Sequence, residues 1–171
     1  MTSAITGSSN DAIRTELERI EEDCVHTGKS HFNAHGRWSN YHYWLGIPAV
    51  LFSSIAGLAF FKDYPEFGGA LSAVVAVLTA LSTFLKPSER ATAHKGAGDQ
   101  YLSLRNDARV FREIRLALMC DAQSAIDGLT EFSNRRNELN LASPQFSKSD
   151  FNKARSGIEA GEATHAVDQR P

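Results

Sequence analysis

The sequence predicts an all-α chain: a two-helix transmembrane hairpin with long flanking helices that form a cytoplasmic helical bundle. Three observations carry that reading. Two long uncharged apolar runs lie close together mid-chain, and amphipathic stripes of helical period flank them on both sides. Prolines, basic residues and aromatic rings gather where the runs and the flanks meet.

With 171 residues the chain has the length of one ordinary domain. A net charge of −2 provides no global basic field, so nucleic acid is not an expected partner. The two cysteines, Cys24 and Cys120, are too few for a disulfide framework and lack the paired spacing of a zinc site. Both read as reduced, small apolar side chains. Residues 1–42 hold no apolar run, so no secretory signal is expected and any membrane segment must come later and stay in the mature protein.

The first apolar run is "WLGIPAVLFSSIAGLAFF", Trp44 to Phe61; the second is "FGGALSAVVAVLTALSTFL", Phe67 to Leu85. As helices these spans, 44–61 and 67–85, each rise about 28 Å, close to the hydrocarbon thickness of a bilayer. The Leu, Ile, Val and Phe residues of each favour insertion by about 3–5 kcal/mol before Ser, Thr and Gly subtract. Either helix alone is marginal, so a pair inserted together is expected. A soluble hairpin in a bundle core is the alternative, but two helices apolar all round would need more covering surface than the amphipathic flanks offer. Lys29, Arg37, Lys86, Arg90 and Lys95 lie near the outer ends, against Lys62 alone in the turn. The positive-inside bias then places both termini in the cytoplasm. Trp38, Tyr41, Tyr43 and Trp44 form an aromatic belt before the first span, and Lys86 can snorkel from the end of the second.

In the flanks, Ile13, Leu17, Ile20 and Cys24 trace one helical stripe, with Asn10 or Asp11 available as its cap. Gly46 and Pro48 are expected to interrupt that helix at the interface. Pro87 is the matching break, with Ser88 as a new cap, and the two prolines read as interfacial hinges. Leu104, Ala108, Phe111, Ile114 and Leu118 line a third helix; a fourth, from about Ser124 to Leu141, carries Ile126, Leu129, Phe132 or Ser133, Arg136 and Leu139. These boundaries give a flexible N-terminus over 1–10, one domain over 11–141 and a disordered tail over 142–171, which has no sustained period.

No constellation supports catalysis, and neither enzyme activity nor a cofactor is expected. His31 and His35 have the four-residue spacing of a metal-binding pair, with His42 near the same face, but no further ligand of convincing type accompanies them. "KGAGDQ" has neither the preceding strand nor the spacing of a phosphate loop. Arg105, Arg109, Arg112 and Arg115 make a basic stripe opposite an acidic first helix (Glu16, Glu18, Glu21, Glu22, Asp23). Pairing with that helix, contact with anionic lipid and binding of an anionic nucleotide all fit the stripe.

Within the spans, Gly69, Ser72, Ala73, Ala76, Thr79, Ala80 and Thr83 cluster on one side of the second helix; Gly46, Ala49, Ser53, Ala56 and Gly57 make a narrow small face on the first. Such faces either hold the two helices together or, for the hydroxyl-bearing positions, line water in a self-assembled oligomer.

The chain resembles the SLATT family of two-transmembrane effector domains, which accompany nucleotide-second-messenger synthetases and SLOG sensor domains in bacterial conflict systems. "WLGIPAVLFSSIAGL" at the first span and "VLTALSTFLKPSERATAHKGAGDQYLSLRND" at the second carry the likeness, over about residues 12 to 120. The resemblance implies an effector of the bacterial inner membrane that oligomerises and forms a pore in an abortive antiviral response. Unlike many members, this chain is not expected to carry a fused sensor or enzymatic domain. A separate synthetase or sensor protein, membrane lipids and further copies of the chain are then the expected partners.

Overall fold

A computed structural model of the chain describes residues 7–119 and 121–164, and every regular element among them is helical. The order is α1 (Gly7–Phe61), α2 (Pro65–Leu85), α3 (Pro87–Val110), a π-helical turn (Phe111–Arg115), a short α4 (Leu116–Leu118), α5 (Ala122–Ala142) and α6 (Lys148–Glu159). Two compact units emerge. One contains the chain up to Ala34 and from Ala93 onward, the other His35–Thr92.

The first unit is built on the stripe of α1. Ile13, Leu17, Ile20 and Cys24 are all buried, against Tyr101, Leu104 and Ala108 of α3, Phe111 and Leu116 beyond it, and Ala125 and Phe132 of α5. Helix α5 begins where Asp121 accepts from the backbone N–H of Ser124 at 3.0 Å, an N-cap that satisfies a donor the helix itself cannot. Its buried face runs through Ala125 and Phe132, leaving Ile126 exposed.

Four expectations are corrected here. The N-terminal segment is helical from Gly7, so residues 7–10 belong to α1; residues 1–6 lie outside the described residues, as does Cys120. Ile114 and Leu118 do not face the core: they are 56% and 77% exposed, while Leu116 is 4% exposed. The cause is the π turn, whose i→i+5 bonding inserts one residue and rotates everything after it out of the earlier register. The segment expected to be a disordered tail carries α6, nucleated by a capping box in which Ser147 and Asp150 exchange side-chain and backbone hydrogen bonds. Asn33 donates to the Asp150 carbonyl at 3.0 Å, and the Phe146 ring meets His31 edge-on, so the segment is held by α1.

The fourth concerns Pro48, which does not stop the helix but sits inside α1. Proline removes one intrahelical bond at about 3 kcal/mol, yet ending the helix would strand several more backbone groups among apolar side chains. Pro87 does coincide with a break, and α3 starts on it rather than after a Ser88 cap. Lys86 adopts a left-handed φ of 48°, its N–H bonding Ser82 O at 3.0 Å while its own carbonyl accepts from Arg90 at 3.1 Å. One residue thus closes α2 and opens α3. In the same unit Gly68 lies so close to α1 that an added Cβ would sit 3.1 Å from the Ala56 carbonyl oxygen.

Candidate functional site

Two helical stretches are long and apolar enough to cross a membrane, one within Asn10–Phe61 and one within Pro65–Leu118, each with a mean hydropathy of 1.9 over its most apolar window. Only 6% of each window is buried by the protein itself. Ile47, Val50, Leu51, Leu58, Phe61 and Phe84 all project outward, the two phenylalanines at 84% and 83% exposure. Leaving a bulky apolar side chain in water forgoes about 1.5–3 kcal/mol. Even these six, fully wetted, forgo about 10 kcal/mol, as much as the entire stability of an ordinary domain.

The small-residue positions have a definite place. Helix α2 is partly covered along Gly68, Leu71, Val75, Leu78, Ser82 and Leu85, a stripe of helical period, whereas Gly69, Ser72, Ala76, Thr79 and Thr83 are exposed. The small, hydroxyl-bearing face therefore lies beside the strip through which α2 meets α1, with Gly69 and Ser72 at its border. Ser72 Oγ donates to Gly68 O and Thr83 Oγ1 to Thr79 O, both at 2.9 Å, so these hydroxyl protons are satisfied inside the helix and the oxygen lone pairs face outward. Ser53 of α1 is exposed as well, and with Gly57, Phe60, Gly69 and Ser72 it lines a groove of about 520 Å³.

At the margin of the apolar surface, Tyr41, Tyr43 and Trp44 are exposed, Trp44 at 76%. Trp38 is half-buried: Tyr41 meets it edge-on at 5.5 Å, Arg90 stands 4.7 Å and Arg37 5.2 Å from its ring centroid. Lys86 projects outward and pairs with Glu89 at 3.2 Å. His35 Nδ1 lies 2.9 Å from the Ala91 carbonyl oxygen; since a carbonyl only accepts, that nitrogen carries the proton.

The basic stripe divides. Arg112 grips Glu21 through Nε at 2.7 Å and a second nitrogen at 3.3 Å, and also reaches Glu18 and Glu113. The hydrogen bond to Glu21 holds its guanidinium above its ordinary pKa. Arg105 instead donates to the Ala163 carbonyl, and the buried Nε of Arg109 has no partner among the described residues. Pairing with the acidic helix thus accounts for Arg112 only.

No family model, curated protein or solved structure matches the chain.

The histidines part company. His31 is buried, its Nδ1 3.0 Å from Nδ1 of His94 and its ring stacked on Tyr101; His35 bonds Ala91, and His42 is exposed beside Tyr43. Burial, and after it the neighbouring His94, lowers the His31 pKa to about 4, so near neutrality the His31 imidazole is uncharged. Tyr101 in turn donates to Asn140 at 2.7 Å. Sequence reading missed His94, Tyr101 and Asn140, which lie on other helices with no local pattern to connect them. Burial raises the Cys24 thiol to about 12, and Asp23 adds to the effect; this free cysteine is an inert core residue.

Proposed function

We propose that the chain is a membrane effector of the SLATT type, which self-assembles in the bacterial inner membrane and on activation forms a pore or disrupts the bilayer, killing an infected cell. The observation that supports this best is the exposed face of Gly69, Ser72, Ala76, Thr79 and Thr83 on a helix long and apolar enough to cross a membrane. In this reading the outer half of α1 and α2 form a transmembrane hairpin, both termini are cytoplasmic, and the remaining helices form a bundle beneath the bilayer. One hairpin has too few helices to enclose water, so conduction requires several copies of the chain. An uncharged hydroxyl lining conducts without strong charge selectivity. A nucleotide-second-messenger synthetase or a sensor protein supplies the trigger, and the closed and open arrangements differ at the Lys86–Pro87 joint. Pro48, inside a continuous helix, is the weaker hinge.

Thr79→Leu puts a bulky apolar group on the proposed lining and leaves insertion intact. Liposomes carrying the variant are expected to leak ions more slowly than wild type at equal protein content; equal leakage removes Thr79 from the lining. Loss of membrane potential on inducing the chain with its trigger tests the wider claim. A second reading, a non-conducting anchor or scaffold whose cytoplasmic helices recruit partners, is favoured by the exposed Val110, Ile114 and Leu118. It predicts an unchanged membrane potential and recovery of soluble partners through that face.

A further inference from the structure

We propose that the turn closing α6, residues 157–163, is an autoinhibitory clasp that bridges α1 and α3, and that a trigger acts by releasing it; this rests on reading the chain as a membrane effector. After α6 the chain reverses in a Schellman turn. Glu162 N–H bonds the Gly157 carbonyl at 3.0 Å, Gly161 N–H bonds the Ile158 carbonyl at 2.9 Å, and Gly161 takes a left-handed φ of 88°. A side chain there would be strained, so glycine sets the direction in which Glu162 leaves the helix. The Glu162 carboxylate pairs with Lys29 of α1, and the next carbonyl, that of Ala163, accepts from Arg105 of α3 at 3.3 Å. Two adjacent residues thus hold one cation from each of two helices.

The clasp closes one side of a cavity. Lys29, Arg105, Glu162, Cys24, Phe32 and Leu102 line a space of about 250 Å³ in the first unit. Cys24, on its wall, is only 1% exposed. A Cβ on Gly157 would stand 2.5 Å from Glu162 Oε2 and 2.7 Å from Lys29 Nζ, so the ion pair needs a glycine beside it. The hold is nevertheless weak. The Glu162 side chain is 62% exposed and that of Lys29 23%, so water and salt compete for the pair. Helix α6 itself is fixed elsewhere, by the Asn33 bond to the Asp150 carbonyl and by its capping box, and stays docked when the turn lets go. Both helices held by the clasp adjoin the apolar pair in the chain: α1 contains the first apolar run, and α3 begins directly after α2. A contact across them opposes their relative movement, and one held this lightly is within reach of a partner or signal.

The test uses the full chain in mild detergent with Cys120→Ser, which leaves Cys24 as the one thiol of the original two. Cys24 shares its cavity with the clasp, so its rate of labelling by a maleimide reads opening. Glu162→Gln is expected to label about two- to fivefold faster than the parent, the loss of one partly exposed ion pair. Gly157→Ala should label faster too, although it favours α6 as a helix, so its acceleration comes from the clasp and not from unfolding. Exchanging the charges, Lys29→Glu with Glu162→Lys, should restore the parent rate. Added salt should speed the parent and leave Glu162→Gln unchanged. Equal labelling of the parent, Glu162→Gln and Gly157→Ala overturns the clasp. Inhibition is read as ion leakage from liposomes without a trigger, expected to be faster for Glu162→Gln than for the parent. Faster labelling without faster leakage overturns the inhibitory role. The effector reading falls separately, if the chain induced with its trigger leaves the membrane potential intact.

Discussion

Gly128 shows how much one missing carbon can matter. A Cβ at this position of α5 would stand 2.3 Å from Cζ of Phe111, a core ring that also packs on Phe132 at 5.3 Å. Alanine in place of a helical glycine ordinarily stabilises by about 1 kcal/mol. Forcing a core ring aside costs about 1–3 kcal/mol, so packing wins over propensity. Gly128→Ala is expected to lower the thermal midpoint, whereas Gly36→Ala, where nothing lies within 4 Å, should leave it level or raise it. The buried imidazole of His31 gives a second residue-level expectation. Its ordinary pKa is 6.5 and folding lowers it to about 4, so below 6.5 the unfolded chain takes up a proton that the folded chain refuses. The contribution is complete above 6.5 and disappears as pH falls towards 4, reaching about 2 kcal/mol of lost stability by pH 5. Denaturation curves between pH 7 and 5 should shift less for His31→Phe than for wild type.

Among the elements, the π turn carries the clearest consequence. An uninterrupted α-helix continuing from Ala108 and Phe111 would bring residue 115 to the core, but Leu116 occupies that place because the turn holds one residue too many. Removing one exposed residue from it converts the turn to ordinary α-helix and leaves Leu116 inside. Deleting Ile114 is therefore expected to preserve helix content and core stability, while deleting Ala108, upstream of the turn, should unfold the first unit; circular dichroism on melting distinguishes them. This element also marks the limit of what a sequence shows. The stripes of α1 and of early α3 were legible because burial repeats every three or four residues there. The phase slip at Phe111–Arg115 has no composition cue. Helix α6 was hidden for another reason: its apolar stripe is only Phe151, Ala154 and Ile158, too short to stand out, and its order also rests on a capping box and on contacts with distant α1.

At the scale of the whole molecule, the chain leaves its most apolar surface uncovered, and the partition of that surface is measurable. Alkaline carbonate extraction should leave the protein in the membrane pellet and detergent should release it; release without detergent would mean that something other than lipid covers α1 and α2. The location of the apolar spans was plain from uncharged length alone. The side of α2 that meets α1 was not. Gly68 and Gly69 are indistinguishable by composition, and only the close approach of the Ala56 carbonyl tells them apart.

Lys86 finally bears on where reporters can be spliced into the chain. Both of its backbone groups are occupied, one by the helix it ends and the other by the helix it begins, so no slack exists there to absorb an inserted epitope or protease site. Tags for mapping sidedness belong at Ser143–Gln145, between two capped helices, where added loop length costs little.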